Sequence, residues 1–276
     1  MRARGLLVVL ERKRQRTPSA RSRVISSTAP GIAEPPWYSV PSRSKQNARG
    51  PMLRVVPVIA LLSLASWPAD VPFAEGERLH YSALVRGRAL GEAELRVSAG
   101  GVVRGVPTWR FDAAGEVSTL GVKSAWQGTS WTERGRLVSR RFHRSSRFAG
   151  INSAERFEIV PDSQRYRVVG ESQAWVAPAK PMDEVALLYH LRTLDLAPGQ
   201  RVTLNGYFRN GWNPVRVAAT GRERVTLASG ASVTCIHLRV SAAGTSADIW
   251  LTDDARRMPA RMSVPTRLGN VTLLLQ

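Results

Sequence analysis

The residues of this chain that could carry out chemistry are few, and they are scattered along its 276 positions. The chain contains four histidines and one cysteine: His80, His143, His190, His237 and Cys235. No two histidines have the close spacing that zinc sites use, and no second cysteine is present to form a pair. The sequence therefore predicts no metal site and no bound cofactor.

The other candidates for catalysis are equally weak. Cys235 alternates with Ile236 in a strand-like segment, and a free cysteine usually behaves as a small apolar side chain rather than as a nucleophile. Asp253 and Asp254 are adjacent, so their carboxylates diverge in a strand or turn, whereas a paired-carboxylate site needs both on one bond. No nucleophile elbow or phosphate-binding glycine loop occurs. The sequence thus supports no class of enzyme.

Aromatic side chains are the more promising candidates for binding. Six tryptophans lie after residue 73, and in a β-rich protein most of them belong to the core or its rim. The alternative is that several line a concave apolar pocket, where rigid rings supply contact area to a ligand. On that hypothesis the candidate ligand-binding residues are Trp126, Trp131, Tyr189, Arg192 and Trp250.

These residues must be positioned by a largely β framework with one helix. Over about 183–194 the leucines recur at helical spacing, Asp183 suits the N-cap, and Ala197-Pro198-Gly199 follows as a stop signal. Elsewhere, short runs of alternating apolar and polar residues are separated by glycine-containing turns, which is typical of antiparallel hairpins. The predicted fold is mainly β: a curved antiparallel sheet, a half-barrel or a barrel, with one principal helix packed against it.

The first 72 residues have a different character. Residues 1–51 lack periodicity, and we interpret them as a disordered extension or as the result of a mispredicted start, with translation beginning at Met52. Residues 52–72 resemble a signal peptide: a short basic start, then an apolar run of about a dozen residues that ends in small ones. That run is shorter than the roughly 20 residues of a membrane-spanning helix. The alternative is a buried strand or helix of the domain. We expect residues 73–276 to form a single β-rich domain in the periplasm or cell envelope.

The charge distribution argues against a nucleic-acid partner despite a formal net charge of +19. Residues 1–51 hold 11 Lys and Arg against two acidic residues, while residues 73–276 hold 28 Lys and Arg against 18 acidic residues. The excess positive charge is therefore divided between these two parts of the chain. The export signal itself also disfavours nucleic acid. The most basic strand, 136–144, is expected to be a solvated outer face, with anionic headgroups or polysaccharide phosphate as the alternative contact.

Four segments together resemble the bacterial family known as domain of unknown function 3108: Phe73–Tyr81, Gly91–Leu95, Asp183–Arg192 and Ile249–Pro259. The resemblance implies an exported envelope protein of mainly β structure and supplies no activity. Tyr189 and Arg192 are three residues apart and can project from one helix face. We expect Arg192 to pair with an acid of the turn at 252–257 and so fix the helix to the sheet.

Two functions remain open, and neither is enzymatic. The first is a carrier whose curved sheet holds a lipid or other apolar molecule in a cavity, with the helix at or across the cavity mouth. The second is a structural or assembly factor of the envelope that binds a protein or polysaccharide through a strand edge or a basic face. An enzyme is a distant third. A cavity lined by tryptophan and leucine favours the first, and a filled interior with an apolar outer patch favours the second.

Overall fold

The computed structural model describes residues 71–119, 121–204, 206–209, 211, 213–242, 244–266 and 269–276. All of them belong to one compact unit. The predicted extension at 1–51 and nearly all of the predicted signal peptide at 52–72 lie outside these residues, so both stay predictions. Among the described residues, no helix is long and apolar enough to cross a membrane.

The described chain folds into one antiparallel sheet of 14 strands with a single α-helix, so the prediction of a mainly β fold is confirmed. The strands are β1 Arg78–Val85, β2 Arg88–Val103, β3 Val106–Thr119, β4 Val122–Glu133, β5 Ser139–Phe148, β6 Ile151–Val160, β7 Arg165–Val168, β8 Ala174–Val176, β9 Arg201–Leu204, β10 Val215–Thr226, β11 Ser232–Ala242, β12 Thr245–Thr252, β13 Pro259–Thr266 and β14 Gly269–Leu275. A 3-10 helix, Pro161–Ser163, follows β6, and helix α1, Glu184–Arg192, lies between β8 and β9.

The spatial order of the strands is β8-β7-β6-β5-β4-β3-β2-β1-β14-β13-β12-β11-β10-β9. The first and last strands in sequence are therefore neighbours in the sheet, with Tyr81 opposite Leu275. Strands β8 and β9 form the two edges, and the sheet is curved but not closed. Irregular chain bridges part of the gap: the amide of Gly211 donates to the Val176 carbonyl at 3.1 Å, and Met182 pairs with Tyr207.

Alternation and turn chemistry explain why these segments become paired strands. In β1 the side chains of Leu79, Tyr81, Ala83 and Val85 are buried on one face, while the intervening residues are more exposed. The two-residue turn into β2 has positive φ at both Arg86 (50°) and Gly87 (79°). A type I′ hairpin requires positive φ at both central positions, and its twist matches that of the flanking strands.

Helix α1 lies inside the curve of the sheet. Asp183 caps its first turn, accepting hydrogen bonds from the amides of Val185 (3.0 Å) and Ala186 (2.9 Å). The helix ends at Arg192, two residues before the predicted end. The sequence predicts one buried stripe, but residues all round the helix are buried, from Val185 and Leu187 to Tyr189 and Leu191. The helix residues belong to the main core, which explains why the helix is buried on more than one side.

The main core lies between the helix and the inner face of the sheet. It is rich in aromatic rings; Tyr189 of the helix stacks on Phe111 of β3 with ring centroids 4.0 Å apart. A second, small cluster lies on the outer face and consists of Val225, Cys235, Trp250 and Ala260. Cys235 is thus a buried apolar residue, as expected, and burial raises the pKa of its thiol to about 11.

The basic segment 136–144 is not the solvated face expected from its composition. Arg140 is buried and donates to Glu133 (2.9 Å), while Arg141 donates to Glu158 (2.7 Å). Arg144 is also largely buried and pairs with Glu155. The sequence could not show this pairing, because the acidic partners come from neighbouring strands and not from the same segment.

Candidate functional site

An apolar cavity lies inside the curved sheet, beside helix α1. It has a volume of about 130 Å³. Its lining comes from residues of β1 to β4, β13 and β14, together with Phe148 at the end of β5. The helix contributes Glu184, Val185 and Leu188.

The cavity exists because small residues occupy the inner face of β2 and β3. Ala93, Ala113 and Gly115 stand where larger side chains would meet the helix. Ala93 is directly opposite Gly115, and a Cβ built on Gly115 would lie 3.2 Å from the Ala93 Cβ. Trp126 of β4 also lines the space. The framework therefore leaves room next to a large aromatic side chain, as an apolar ligand site requires.

The mouth of the cavity is at the end of the sheet where the β1–β2, β3–β4, β5–β6 and β13–β14 hairpins turn. The lining residues nearest these turns, Val117, Phe148, Thr266 and Val271, are all partly exposed. The deeper lining residues Tyr81, Leu95 and Met262 are buried. The helix forms the floor of the cavity and not its cover, which differs from the expected position at the mouth. A wider open groove of about 890 Å³, lined mostly by polar residues, borders the cavity at Trp126.

Two buried polar side chains line this mainly apolar cavity, and the exposed Glu92 and Glu116 also border it. Glu184, on the first turn of α1, is only 7% exposed. Its Oε1 accepts the hydroxyl of Tyr207 at 2.9 Å and lies 3.4 Å from Nη1 of Arg144. Within the described part of the chain, its Oε2 is buried and has no hydrogen-bond partner.

Tyr81 of β1 is the second of these groups. It is fully buried, and no described residue forms a hydrogen bond with its hydroxyl. Burial, more than the charges around it, raises the pKa of this hydroxyl well above its usual value. The group is therefore a neutral hydroxyl that can donate or accept a hydrogen bond.

The far end of the helix is fixed by an ion pair. Arg192 is completely buried, and its two terminal nitrogens lie 2.5 and 3.0 Å from the two carboxylate oxygens of Glu77. It also donates to the carbonyls of Pro72 (2.7 Å) and Arg256 (3.0 Å). The prediction that Arg192 pairs with an acidic residue of the turn at 252–257 is thus wrong, although Arg192 does contact that turn through the Arg256 carbonyl.

Tyr189 and Arg192 do project together, as their spacing predicts. The guanidinium of Arg192 lies 5.4 Å from the ring centroid of Tyr189 and 5.4 Å from that of Phe73, close enough for cation–π attraction. Neither residue lines the cavity. They hold the helix and the segment before β1 to the inner face of the sheet.

The remaining predicted site residues lie on the outer face. Trp131 sits between Arg110 and Arg141, whose guanidinium carbons are 5.7 and 5.6 Å from its ring centroid. Trp250 stacks on His237 with centroids 4.2 Å apart and donates through Nε1 to Glu223 at 2.8 Å. Of the five candidate residues, therefore, only Trp126 borders the cavity, and the structure does not bring the five together.

Sequence reasoning missed the polar residues of the cavity. Neither Glu184 nor Tyr81 is among the candidate binding residues predicted from the sequence. The small residues Ala93, Ala113 and Gly115 were the available signal, because consecutive small inward residues on paired strands leave space. Nothing in a single sequence showed that the helix would pack beside that space.

The described residues contain no group of three or more His, Cys, Asp or Glu that could hold a metal ion. The geometry instead suits non-covalent binding of an apolar group beside the buried carboxylate of Glu184. Fold and cavity together define a β-barrel-like protein with an open sheet and an internal helix.

More particularly, the chain belongs to the family described as protein of unknown function DUF3108, whose model matches residues 78–276. The match begins five residues after the expected start at Phe73. A solved structure with a similar fold is a β-barrel-like protein of domain of unknown function DUF1849 from Brucella abortus. The identity is 8%, the alignment covers 72% of this chain and 94% of that one, and the TM-score is 0.46. No curated protein matches the sequence.

Proposed function

We propose that this chain is an exported, non-enzymatic binding protein that holds an apolar ligand in the cavity above helix α1. The observation that supports it is the cavity itself: an apolar space inside a β framework, open at the hairpin end and closed below by a firmly anchored helix. Lipids and other molecules with hydrocarbon parts are the ligand class that such a lining would bind, because burial of apolar surface drives association.

The size of the cavity limits what part of the ligand it holds. Dry protein cavities of about 150 Å³ accept benzene, and the volume here is about 130 Å³. The cavity therefore matches one ring or a short stretch of alkyl chain. A longer ligand would extend through the mouth past Phe148 and Val271 towards solvent.

A second candidate function rests on the edge of the sheet. Large apolar side chains are exposed on and near β8: Val169 is 47% exposed, Trp175 43% and Val176 53%. An edge strand with apolar side chains can pair with an added strand from a partner protein. This observation favours an assembly factor of the envelope.

The carrier proposal is tested by titrating the purified protein with toluene and following Trp fluorescence and melting temperature. A ligand that binds only the folded state raises the melting temperature as its concentration exceeds Kd. Ala93→Phe places a ring in the cavity and should abolish both responses. Ala228→Phe adds the same ring at an exposed turn and is the matched control.

The expected result is a saturable response in the wild type and in Ala228→Phe, and none in Ala93→Phe. A cooperative melt of Ala93→Phe without toluene shows that this variant is folded. If the wild type does not respond to toluene, or if Ala93→Phe responds equally, the cavity is not the binding site, and the assembly-factor function becomes the better candidate.

A further inference from the structure

We propose that the ligand is a neutral apolar molecule with a hydroxyl group, and that the hydroxyl donates a hydrogen bond to Oε2 of Glu184. This inference rests on the proposed function and specifies its ligand. It follows from the charges and hydrogen bonds around the cavity floor.

The carboxylate of Glu184 is held in one orientation from behind. Its Oε1 accepts the Tyr207 hydroxyl at 2.9 Å and faces the Arg144 guanidinium at 3.4 Å. The other oxygen belongs to a residue that lines the cavity, and no described donor reaches it. A buried carboxylate oxygen without a donor is costly, and a ligand that supplies one recovers that cost.

The surrounding charges favour a neutral donor over a charged one. Arg144 also donates to Glu155 through Nε at 2.7 Å, and Arg209 reaches Glu155 at 3.4 Å. These four side chains, Arg144, Arg209, Glu155 and Glu184, carry two positive and two negative charges. A ligand ammonium would add an uncompensated buried charge, and a ligand carboxylate would face Glu184, so both are disfavoured.

Tyr81 gives the cavity a second polar contact. Its hydroxyl is buried and lacks a partner among the described residues, and Tyr81 lines the same space as Glu184. A ligand hydroxyl has one proton to donate to Glu184, and its two lone pairs remain able to accept a further hydrogen bond. An ether or a hydrocarbon cannot donate to the carboxylate at all.

Benzyl alcohol and anisole provide a matched pair of probes, because they are isomers that differ in having a hydroxyl donor. Toluene serves as the apolar reference. We expect the ratio of the anisole Kd to the benzyl alcohol Kd to be roughly ten- to a hundredfold larger in the wild type than in Glu184→Gln. In Glu184→Gln the amide oxygen can still accept from Tyr207 and Arg144, which turns the NH₂ group towards the cavity. That variant should therefore prefer the acceptor anisole.

Toluene separates the two proposals. It should bind the wild type, because it contacts only the apolar lining, and Ala93→Phe should block it. If toluene does not bind, the proposed function fails. If toluene binds but the anisole to benzyl alcohol ratio is the same in the wild type and Glu184→Gln, or benzoate or benzylamine binds more tightly than benzyl alcohol, the hydroxyl inference is overturned and the proposed function stands.

Discussion

Arg192 is a charged residue with no exposed surface, so its positive charge must be compensated inside the protein. Glu77 and two backbone carbonyls provide that compensation. The sequence predicted a pairing role but not the partner, because Glu77 is 115 positions away and the approach of the two segments is a property of the fold.

Replacing Arg192 with methionine should lower the free energy of unfolding by about 3–5 kcal/mol, the range for removing one member of a buried ion pair. The loss arises because Glu77 remains buried without its partner. Arg222→Met is the control, since the Arg222–Asp253 pair is exposed and its loss should cost less than about 1 kcal/mol. Denaturant unfolding measures both changes, and equal losses would contradict the role assigned to Arg192.

Asp183 is a buried helix cap whose ionisation should make stability depend on pH. Burial raises the pKa of its carboxyl to about 6, although hydrogen bonds from Ala186, Ser130 and Ser139 act in the opposite direction. The ordinary pKa of an aspartate carboxyl, which applies in the unfolded chain, is 3.8. Between these two pH values the folded state binds the proton more tightly than the unfolded state, so stability falls as pH rises.

The expected loss from this group is up to about 3 kcal/mol between pH 4 and pH 7, since one pKa unit corresponds to about 1.36 kcal/mol. Asp183→Asn keeps a capping side chain but cannot ionise. The free energy of unfolding of the wild type relative to Asp183→Asn should therefore decrease from pH 4 to pH 7. A difference that stays constant, or that grows with pH, would show that Asp183 does not titrate in this range.

At the scale of elements, helix α1 packs into the core on one side and borders the cavity on another, whereas its sequence predicts a single buried stripe. Leu191 is completely buried in the core, whereas Leu188 is half-buried and lines the cavity. The sequence predicted the existence of this helix and its N-cap, because capping and leucine spacing are local signals. It could not predict the cavity above Leu188, which depends on small residues in β2 and β3.

Leu191→Ala should destabilise the protein by about 2–5 kcal/mol, the range for large-to-small changes in a packed core. Leu188→Ala is the comparison on the cavity side, and it should cost clearly less because that leucine already borders open space. Urea unfolding of both variants measures the difference. A loss for Leu191→Ala of under about 0.5 kcal/mol, the level of surface sites, would mean that the helix is not anchored.

The strands illustrate what alternation can and cannot predict. The alternating runs of β1 to β6 and β10 to β14 were recognisable because one face of each strand is buried. The sequence did not show which face of a strand borders the cavity. In β4, for example, Trp126 points inward and Trp131 outward, and both are tryptophans. Periodicity identifies the two faces of a strand but does not say which one encloses the interior.

In the whole molecule, the sheet is an up-and-down meander. Strands β1 and β14, which are furthest apart in sequence, are neighbours in the middle of the sheet. The chain from β9 through β14 and β1 to β8 is continuous in space, and only the connection through α1 spans the two edges. The chain after α1 is exposed at Ala197 and Pro198.

A circular permutant that opens between Ala197 and Pro198 and joins Gln276 to Val71 by a flexible linker should fold with the wild-type far-UV spectrum and one cooperative melt. The reason is that exposed turns tolerate new termini and that the permuted order leaves every strand next to its sequence neighbour. Purification and thermal unfolding are the measurements. An aggregated or non-cooperative permutant would show that the covalent link across the edges is essential.

The pairing of β1 with β14 also determines the order in which the protein can be completed as it is made. When β1 to β13 have been synthesised, the sheet consists of separate halves, and the inward residues Tyr81 and Ala83 lack the strand that covers one side of them. Among the described strands, only β14, Gly269–Leu275, joins the halves by pairing with β1 and β13 at once. A chain cut before Gly269 would therefore have two additional open strand edges in the centre of its sheet, which expose it to aggregation and proteolysis.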